Sequence, residues 1–355
     1  MHIHPYRTSI LLAVTFTLLL STFWFLPELA FVVFISLLLQ LLLSPLVDRL
    51  EPHIGRALSS AFVLVSFILL AGILLALVSS SFIPTLTQFV ADFPRISAEL
   101  EHMPAIEDSP FMADEMSSLW AELQSLSVTA LKSSLSVLVT LFGKVIDMVI
   151  ILFVTFYLLK DGDMIQKWLA SRFPKRDYSR INALFNRILR ALRTYIVSQL
   201  AICCIMGTLV FLYFTFRGLP YGSVFAVVSG VAEFIPVLGP TVASIFGTML
   251  TATTSVWFAL QTACFYLLIT QLNHNVIYPT LIGRTLNLHP VAIILGIILG
   301  GEVLGPAGMF LAVPFIVICK LVIEDIYEDR QQFTKKQAAS RWFHRRESGE
   351  EKTSG

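Results

Sequence analysis

Long apolar runs recur along this 355-residue chain, and they constrain its fold more than any other feature. Helical runs of roughly 18 to 25 apolar residues are long enough to cross a hydrocarbon core of about 30 Å. The composition agrees, because 56% of the residues are hydrophobic and only 14% are charged. The chain is therefore predicted to be an all-α polytopic membrane protein. Six spans are expected to be unbroken: Ile10–Phe25, Leu29–Val47, Ala57–Ser80, Ser136–Leu159, Thr194–Phe216 and Val256–Tyr278.

Two further apolar stretches, Ser223–Leu250 and Pro290–Ile323, are interrupted near the middle by EFIPVLGP (233–240) and GGEVLGP (300–306). As straight helices they would be about 42 Å and about 51 Å long, which is more than one crossing needs. A proline inside a helix costs about 3 kcal/mol, and backbone freed at membrane depth needs protein or water to satisfy it. Each stretch is predicted to be a kinked span or a re-entrant hairpin, which gives about six to eight spans.

The hairpin alternative would make Thr194–Leu250 and Val256–Ile323 two copies of one pattern, a span followed by a hairpin, in opposite orientations. Inverted repeats whose broken helices meet near the bilayer midplane are a recurrent architecture of secondary transporters. A chance recurrence of Leu-Gly-Pro in two apolar stretches is the alternative interpretation.

Charge is divided unevenly between the polar segments. Residues 82–132 hold eight acidic residues against Arg95 and Lys132, and their helical spacing of apolar residues predicts amphipathic helices. Basic residues accumulate on the cytoplasmic side of membrane proteins. We therefore predict that both termini and the 160–193 loop are cytoplasmic, with the acidic segment outside. The loop is basic through Lys160, Lys167, Arg172, Lys175, Arg176, Arg180, Arg187, Arg190 and Arg193.

Each break carries a carboxylate, Glu233 in the first and Glu302 in the second. A charged carboxylate at the bilayer centre costs at least about 2.5 kcal/mol. Each is therefore expected to face a cavity, bind a cation or basic group, or carry a proton. The alternative is that one of them lies at a hairpin mouth without a role. The amides of QLNHN (271–275) are expected to line a polar path or to join helices.

We predict a solute or ion pathway bordered by the two breaks and these amides, with glycines that allow close backbone approach. No metal site is expected, and His274 and His289 are more typical of structural histidines than of a proton relay. The candidate pathway residues are Glu233, Pro236, Gly239, Pro240, Gln271, Asn273, Asn275, Pro279, Gly301, Glu302, Gly305, Pro306 and Gly308.

Motifs of other protein classes are absent from the sequence. There is no G-x-x-x-x-G-K-[ST] phosphate loop, no H-E-x-x-H and no G-x-S-x-G, so neither an enzyme nor a nucleotide-driven pump is indicated. No cofactor is expected. The basic residues fit cytoplasmic flanks, and nucleic-acid binding has no support.

With these residues in view, the chain resembles the AI-2E family of bacterial transporters, the autoinducer-2 exporter-like permeases. The resemblance rests on SPLVDRLE (44–51), FYLLKDGD (156–163), GLPYG with EFIPVLGP (218–240), and the stretch 273–314. It implies a multi-pass protein of the bacterial inner membrane, a homo-oligomer in the lipid bilayer, which moves a small solute without nucleotide. Members of the family resemble exporters of autoinducer-2 or sodium/proton antiporters.

Three functions follow as hypotheses. The first is a secondary-type transporter that exports a small polar solute such as autoinducer-2. The second is a sodium(lithium)/proton antiporter, and the third is a non-transporting membrane scaffold or regulator.

The sequence also predicts how the chain is divided into segments. These are N-terminal transmembrane helices (1–81), acidic extracytoplasmic helices (82–133), a transmembrane helix with a basic segment (134–192), a transport core (193–323) and a basic tail (324–355).

Overall fold

The computed structural model describes residues 7–101, 125, 145–236, 238–282 and 288–350, and the regular elements within them are helices. The all-α prediction is confirmed. The helices are α1 (Arg7–Phe25), α2 (Pro27–Ile54), α3 (Arg56–Glu101), α4 (145–171), α5 (Tyr178–Phe216), α6 (Gly222–Ala232), α7 (Leu238–Thr254), α8 (Val256–Leu272), α9 (Tyr278–Leu281), α10 (Pro290–Leu304) and α11 (Pro306–Glu350). A 3-10 turn (Lys175–Asp177) precedes α5, and a π-helical segment (Asn273–Ile277) joins α8 to α9.

Four of these helices are long and apolar enough to cross a membrane, over Pro27–Ile54, Arg56–Phe89, Tyr178–Phe216 and Pro306–Glu328, counting only described residues. Shorter apolar helices cover Gly222–Ala232, Leu238–Ala252 and Pro290–Leu304. The protein is therefore a multi-pass helical membrane protein. Most of the predicted acidic segment, residues 102–124 and 126–133, lies outside the described residues, as does the first part of the predicted span 136–159.

Both predicted breaks are present, but they have different geometries. In the first, α6 ends at Ala232 and α7 starts at Leu238, so Leu-Gly-Pro already lies in the first turn of α7. In the second, Gly305 itself is the break, with φ +60° and ψ −143°, and α11 starts at Pro306. Only glycine adopts that conformation readily, whereas a proline at a helix start loses no hydrogen bond. The shared tripeptide therefore has two different structural roles.

The chain divides into two compact units, of which the first comprises residues 1–41, 157–193 and 287–355. In this unit α10 and α11 pack antiparallel, because Gly300 lies against Gly308 and Gly296 lies against Ile316. A Cβ atom on Gly308 would overlap the backbone carbonyl of Gly300. The two half-helices around the second break therefore form a tightly packed pair.

Ion pairs also join the start of α5 to α11 within the first unit. Arg180 donates to the Asp325 carboxylate at 2.6 Å and 3.1 Å and to the Asp325 backbone carbonyl at 3.1 Å. Two turns further along α5, Arg187 pairs at 2.9 Å with Glu324, the residue that precedes Asp325 on α11. Charge-assisted bonds of this kind are stronger than neutral ones. They fix α11 against the basic segment that precedes the apolar part of α5.

The second unit comprises residues 42–156 and 194–286, and α5 and α6 run antiparallel in it. Gly207 of α5 faces Ala226 and Gly230 of α6, while Gly222 at the start of α6 lies against Phe214 near the end of α5. At that end of the unit the chain reaches α6 through a tight turn. The two backbones approach closely because glycines occupy both sides of the contact.

The first broken stretch folds back on itself beside α8. Ser229 of α6 lies 3.2 Å from the Tyr266 hydroxyl of α8, and further along both helices Asn273 lies 3.4 Å from Glu233, so α6 and α8 run parallel. Helix α7 returns along α8, since Gly247 lies against the same Tyr266 ring. Helices α6 and α7 are therefore an antiparallel pair of half-helices. Residues 233–236 form its tip, which we call the α6–α7 tip.

The opposite end of this helix pair is attached to α3. The Tyr221 hydroxyl donates to the Asp92 carboxylate at 2.6 Å, and its ring packs edge-on against Phe89. Ser223 donates to the Thr85 hydroxyl at 3.1 Å. The end of the pair distant from its tip is thus fixed, which leaves the tip as the end that faces the interior of the unit.

Candidate functional site

A cavity of about 570 Å³ lies in the second unit beside the α6–α7 tip. Its walls come from α5, the tip, α7, α8, the π-helical segment and the start of α9. A cavity of this volume is in the range that holds small ligands. The lining residues are Gln199, Ile202, Glu233, Pro236, Pro240, Thr241, Ser244, Ile245, Thr248, Met249, Ala263, Tyr266, Leu267, Thr270, Asn273, His274 and Tyr278.

Glu233 is the acidic residue of this lining and follows directly after α6. It is only 5% exposed, and among the described residues it forms no ion pair with a lysine or arginine. Two amides contact it instead. Gln199 on α5 donates to its backbone carbonyl at 2.7 Å, and Asn273 donates to its carboxylate at 3.4 Å.

Asn273 is the first residue of the π-helical segment and is 7% exposed. A π turn widens the helix by one residue and is frequently found at functional sites. Its side-chain carbonyl oxygen is buried and has no hydrogen-bond partner among the described residues. Because buried polar atoms are normally paired, this oxygen marks a place where the site's hydrogen bonding is incomplete.

Hydroxyl groups line a second wall of the cavity. Thr241, Ser244 and Thr248 follow one another at spacings of three and four residues, so they lie on one face of α7. Thr270 and the Tyr266 hydroxyl lie on α8 opposite them. Hydroxyls both donate and accept hydrogen bonds, and the remaining walls are apolar. The cavity therefore suits a small solute with several polar groups.

The structure separates the predicted pathway residues of the second unit into two groups. Glu233, Pro236, Pro240 and Asn273 line the cavity together, and buried Gly239 packs directly on the Ala232 backbone behind it.

The other amides of the QLNHN stretch lie elsewhere. Gln271 and Asn275 are exposed and hydrogen-bond to each other at 3.1 Å, and Pro279 is exposed as well. Because residues two apart on a helix do not share a face, the inward direction of Asn273 leaves its two amide neighbours on the outer side.

The predicted residues of the second break belong to the first unit. Glu302 and Pro306 are exposed, Gly301 and Gly305 are half-buried, and Gly308 is buried against Gly300. The close approach that the glycines were expected to allow is made here between two helix backbones. A role of these residues in a pathway remains a prediction.

Sequence reasoning missed several residues that the structure brings to the cavity. Gln199 is an isolated amide in an apolar span, and no local pattern distinguished it. The Thr241, Ser244 and Thr248 face was detectable, because small polar residues at helical spacing in an otherwise apolar helix indicate a polar stripe. Among the described residues, no group of three or more histidine, cysteine, aspartate and glutamate side chains is placed to hold a metal ion.

The fold and the site together define a polytopic helical membrane protein with a cavity at a broken helix pair, lined mainly by apolar residues and by a few polar groups that include buried Glu233 and Asn273. Residues 12–328 of the chain match the family described as AI-2E family transporter. The chain therefore belongs to the AI-2E transporter family, which confirms the resemblance found in its sequence. Membrane transport is the role that this membership supports.

Individual relatives agree with this family. The chain is 29% identical to YueF of Bacillus subtilis (strain 168) over 316 residues, which cover 83% of this chain and 84% of YueF. It is 32% identical to YrrI of the same organism over 171 residues, so it spans about half of that relative, 48% of each chain. PerM of Escherichia coli (strain K12) is 27% identical over 281 residues, 76% of this chain and 75% of PerM. Their names provisionally class these relatives as transport proteins or a permease.

Proposed function

We propose that this protein is a secondary-type transporter that exports a small polar solute such as autoinducer-2 and binds it in the cavity beside the α6–α7 tip. The observation that carries the proposal is the cavity itself, a partly open space of about 570 Å³ with amide, carboxyl and hydroxyl groups among its otherwise apolar walls. A polar solute entering an apolar bilayer needs such groups to replace its hydrogen bonds with water. Apolar walls then leave the polar groups to determine orientation and specificity.

The antiparallel path of α6 and α7 supports a re-entrant hairpin at this site. Helix α6 has 11 residues, or about 16 Å of length, so a hairpin entering from one face places its tip near the midplane of a core of about 30 Å. Half-helix ends and unwound backbone at that depth are typical of substrate sites in secondary transporters. We extend the hairpin proposal to α10 and α11, whose glycine-rich contact is also antiparallel.

Transport of autoinducer-2 from preloaded proteoliposomes tests the proposal. Asn273→Leu removes a buried amide from the cavity, and Asn275→Leu removes an exposed amide two residues away, so the two variants form a matched pair. Losing a buried hydrogen-bonding group is worth about 1–3 kcal/mol, so we expect the Asn273→Leu efflux rate to fall about tenfold and the Asn275→Leu rate to stay within about twofold. Equal rates in both variants, or no efflux from the unmodified protein, would count against this assignment.

Cation/proton antiport is a second candidate, and the buried Glu233 carboxyl favours it. A carboxyl in an apolar setting without an ion pair is suited to exchange a proton for a monovalent cation. Sodium-dependent proton flux in proteoliposomes is expected to be lost in Glu233→Gln and retained in Glu302→Gln, whose parent side chain is exposed. Undiminished flux in Glu233→Gln would rule this mechanism out.

The remaining proposals concern the setting of the protein. We place it in the bacterial inner membrane with both termini in the cytoplasm, because basic residues dominate the 160–193 segment and the tail. We also propose a homo-oligomer, as the family resemblance implies.

A further inference from the structure

Two amides from different helices converge on one residue of the α6–α7 tip. The Gln199 side chain, 3% exposed on α5, holds the backbone carbonyl of Glu233 at 2.7 Å. The Asn273 side chain, from the π-helical segment, holds the Glu233 carboxyl group at 3.4 Å. One contact is insensitive to the charge of Glu233, because it involves the backbone. The other contact depends on that charge.

The second contact is incomplete when Glu233 is ionised. A carboxylate accepts hydrogen bonds only, so it leaves the buried Asn273 carbonyl oxygen unpaired, as the structure shows. The carboxylate itself then has one donor at 3.4 Å, near the outer limit of hydrogen bonding, and no cation among the described residues. A buried charge with so little compensation is strongly unfavourable.

Protonation of Glu233 completes the same contact. A protonated carboxyl has an O–H donor, so acid and amide can form two hydrogen bonds together: the Asn273 N–H donates to one Glu233 oxygen, and the Glu233 O–H donates to the unpaired Asn273 oxygen. The pair is then neutral, and both members are satisfied without a charge in the apolar interior. The arrangement in which Asn273 contacts Glu233 therefore suits the protonated acid, whereas ionised Glu233 is better accommodated in contact with water.

We propose that Gln199 and Asn273 form a two-point latch on Glu233, which holds the α6–α7 tip against α5 and the π-helical segment (the closed tip) when Glu233 is protonated and releases it when Glu233 ionises. The inference rests on the proposed function in treating the cavity as the transport site. It adds a direction, because proton loss opens the tip and proton uptake closes it. Gln199 and Asn273 are positioning residues in this scheme.

Several other titratable side chains surround Glu233, and they come from α5, α8, the π-helical segment and α9. Cys203 lies near it on α5, Tyr266 lines the cavity from α8, His274 from the π-helical segment and Tyr278 from α9. The α7 wall contributes hydroxyls at Thr241, Ser244 and Thr248. Contacts between α3 and the hairpin lie at the opposite end, at Ser223 and Tyr221. An experiment on pH dependence must therefore distinguish protonation of Glu233 from protonation of His274.

Cysteine accessibility tests the latch without any transported solute. The reporter is Ile202→Cys, a 1% exposed position in the cavity wall on α5, in the full chain with Cys203, Cys204, Cys264 and Cys319 replaced by alanine, reconstituted in liposomes. Labelling by N-ethylmaleimide is followed between about pH 5.5 and about pH 8.5, on both sides of neutrality. Each rate is divided by that of Thr254→Cys, an exposed position at the end of α7, because thiol reactivity itself changes with pH.

We expect the normalised Ile202→Cys rate to rise at least about fivefold with pH, as a shift from a mostly closed to a mostly open tip requires. Glu233→Gln, whose amide can donate to Asn273 but cannot ionise, should keep the low rate at every pH. Gln199→Leu should raise the rate at every pH by about threefold or more, because it removes the charge-independent contact. His274→Gln should leave the pH response unchanged.

A rate that does not change with pH in the unmodified tip, or an unchanged response in Glu233→Gln, would overturn the latch. Because the unmodified tip alone gives a decisive result, a variant that fails to fold does not remove the test. A pH response without autoinducer-2 efflux would support the latch and contradict the proposed solute. Autoinducer-2 efflux without a pH response would support the proposed solute and contradict the latch.

Discussion

Glu233 shows how strongly the position of one residue determines its chemistry. Glu302 is the carboxylate of the second break, yet it lies within α10 and is exposed, whereas Glu233 follows α6 and is 5% exposed beside a cavity. Glu233 therefore loses contacts with water that Glu302 keeps. For that reason we treat the pair as a built-in comparison between a buried and an exposed acid.

Tyr221 is a second residue with an unusual environment, outside the apolar helices. It has φ +60°, a left-handed conformation that is uncommon for residues other than glycine. Burial and, after it, the hydrogen bond to Asp92 raise the pKa of its hydroxyl to about 12. The turn between α5 and α6 is therefore held by a phenol that stays neutral, and a donor, well into the alkaline range.

This gives a pH prediction for Tyr221. A raised pKa in the folded protein means that its stabilisation is complete below the ordinary phenol pKa of about 10 and is lost as the pH rises through about 12. Thermal unfolding in detergent should show a steeper loss of stability from about pH 10 to about pH 12 in the unmodified protein than in Tyr221→Phe. Tyr327→Phe, which changes an exposed tyrosine, should match the unmodified protein. Identical slopes in all three proteins would contradict the assignment.

At the scale of elements, the broken helices are held by contacts between backbones. Gly207 packs on Gly230 between α5 and α6, and Gly300 packs on Gly308 between α10 and α11. Helices in a membrane lack a hydrophobic driving force between them, so small residues that allow close packing stabilise their association. Glycine therefore stabilises the packing of α6 on α5 and of α10 on α11, and at Gly305 it also ends a helix.

Substitution of Gly308 tests this packing. The added Cβ of Gly308→Ala would overlap the Gly300 backbone carbonyl, and a forced backbone shift costs about 1–3 kcal/mol. We expect the midpoint of thermal unfolding, followed by tryptophan fluorescence in detergent, to fall by about 2 °C or more.

Gly72→Ala on α3 is the control for Gly308→Ala. No atom lies within 4 Å of its added Cβ, so the better helix propensity of alanine should stabilise the protein or leave it unchanged. A Gly308→Ala protein as stable as this control would show that α10 and α11 are less tightly packed than described.

For the whole molecule, the charge distribution predicts which segments face each side of the membrane. Ala91 lies on α3 beyond its apolar part, in the acidic region, and Lys175 lies in the basic segment. Because basic segments remain cytoplasmic, these two exposed residues should face opposite sides.

Labelling in intact cells checks this topology. In the chain with its four cysteines replaced, an impermeant maleimide should label Ala91→Cys directly, because the acidic region is predicted to be outside. Lys175→Cys should react only after the cells are permeabilised. The reversed pattern would invert the proposed topology and place both termini outside. Labelling of both positions in intact cells would show that α3 and α4 do not separate them.

Sequence reasoning predicted the helical class and both breaks, and it named Glu233 and Asn273 among the candidate pathway residues, whose role in transport stays a prediction. Asn273 and Glu233 were expected near each other, and both line the cavity. Gln271 and Asn275 were expected beside them and instead bond to each other on the exposed side. The difference follows from helix geometry, because residues two apart do not share a face, so an inward Asn273 leaves Gln271 and Asn275 together on the outer side. Gln199 could not be assigned because its partner is a backbone carbonyl 34 residues away.

The sequence by itself determined that this chain spans a membrane as helices and where those helices break. Apolar run length, proline and glycine act locally, and the bilayer requires each segment to satisfy its own backbone. Only the tertiary structure decided that α6 and α7 fold back beside α8, and that Gln199, Glu233 and Asn273 meet. Those contacts join residues far apart in the chain, and they depend on how helix faces pack, which a single sequence does not specify.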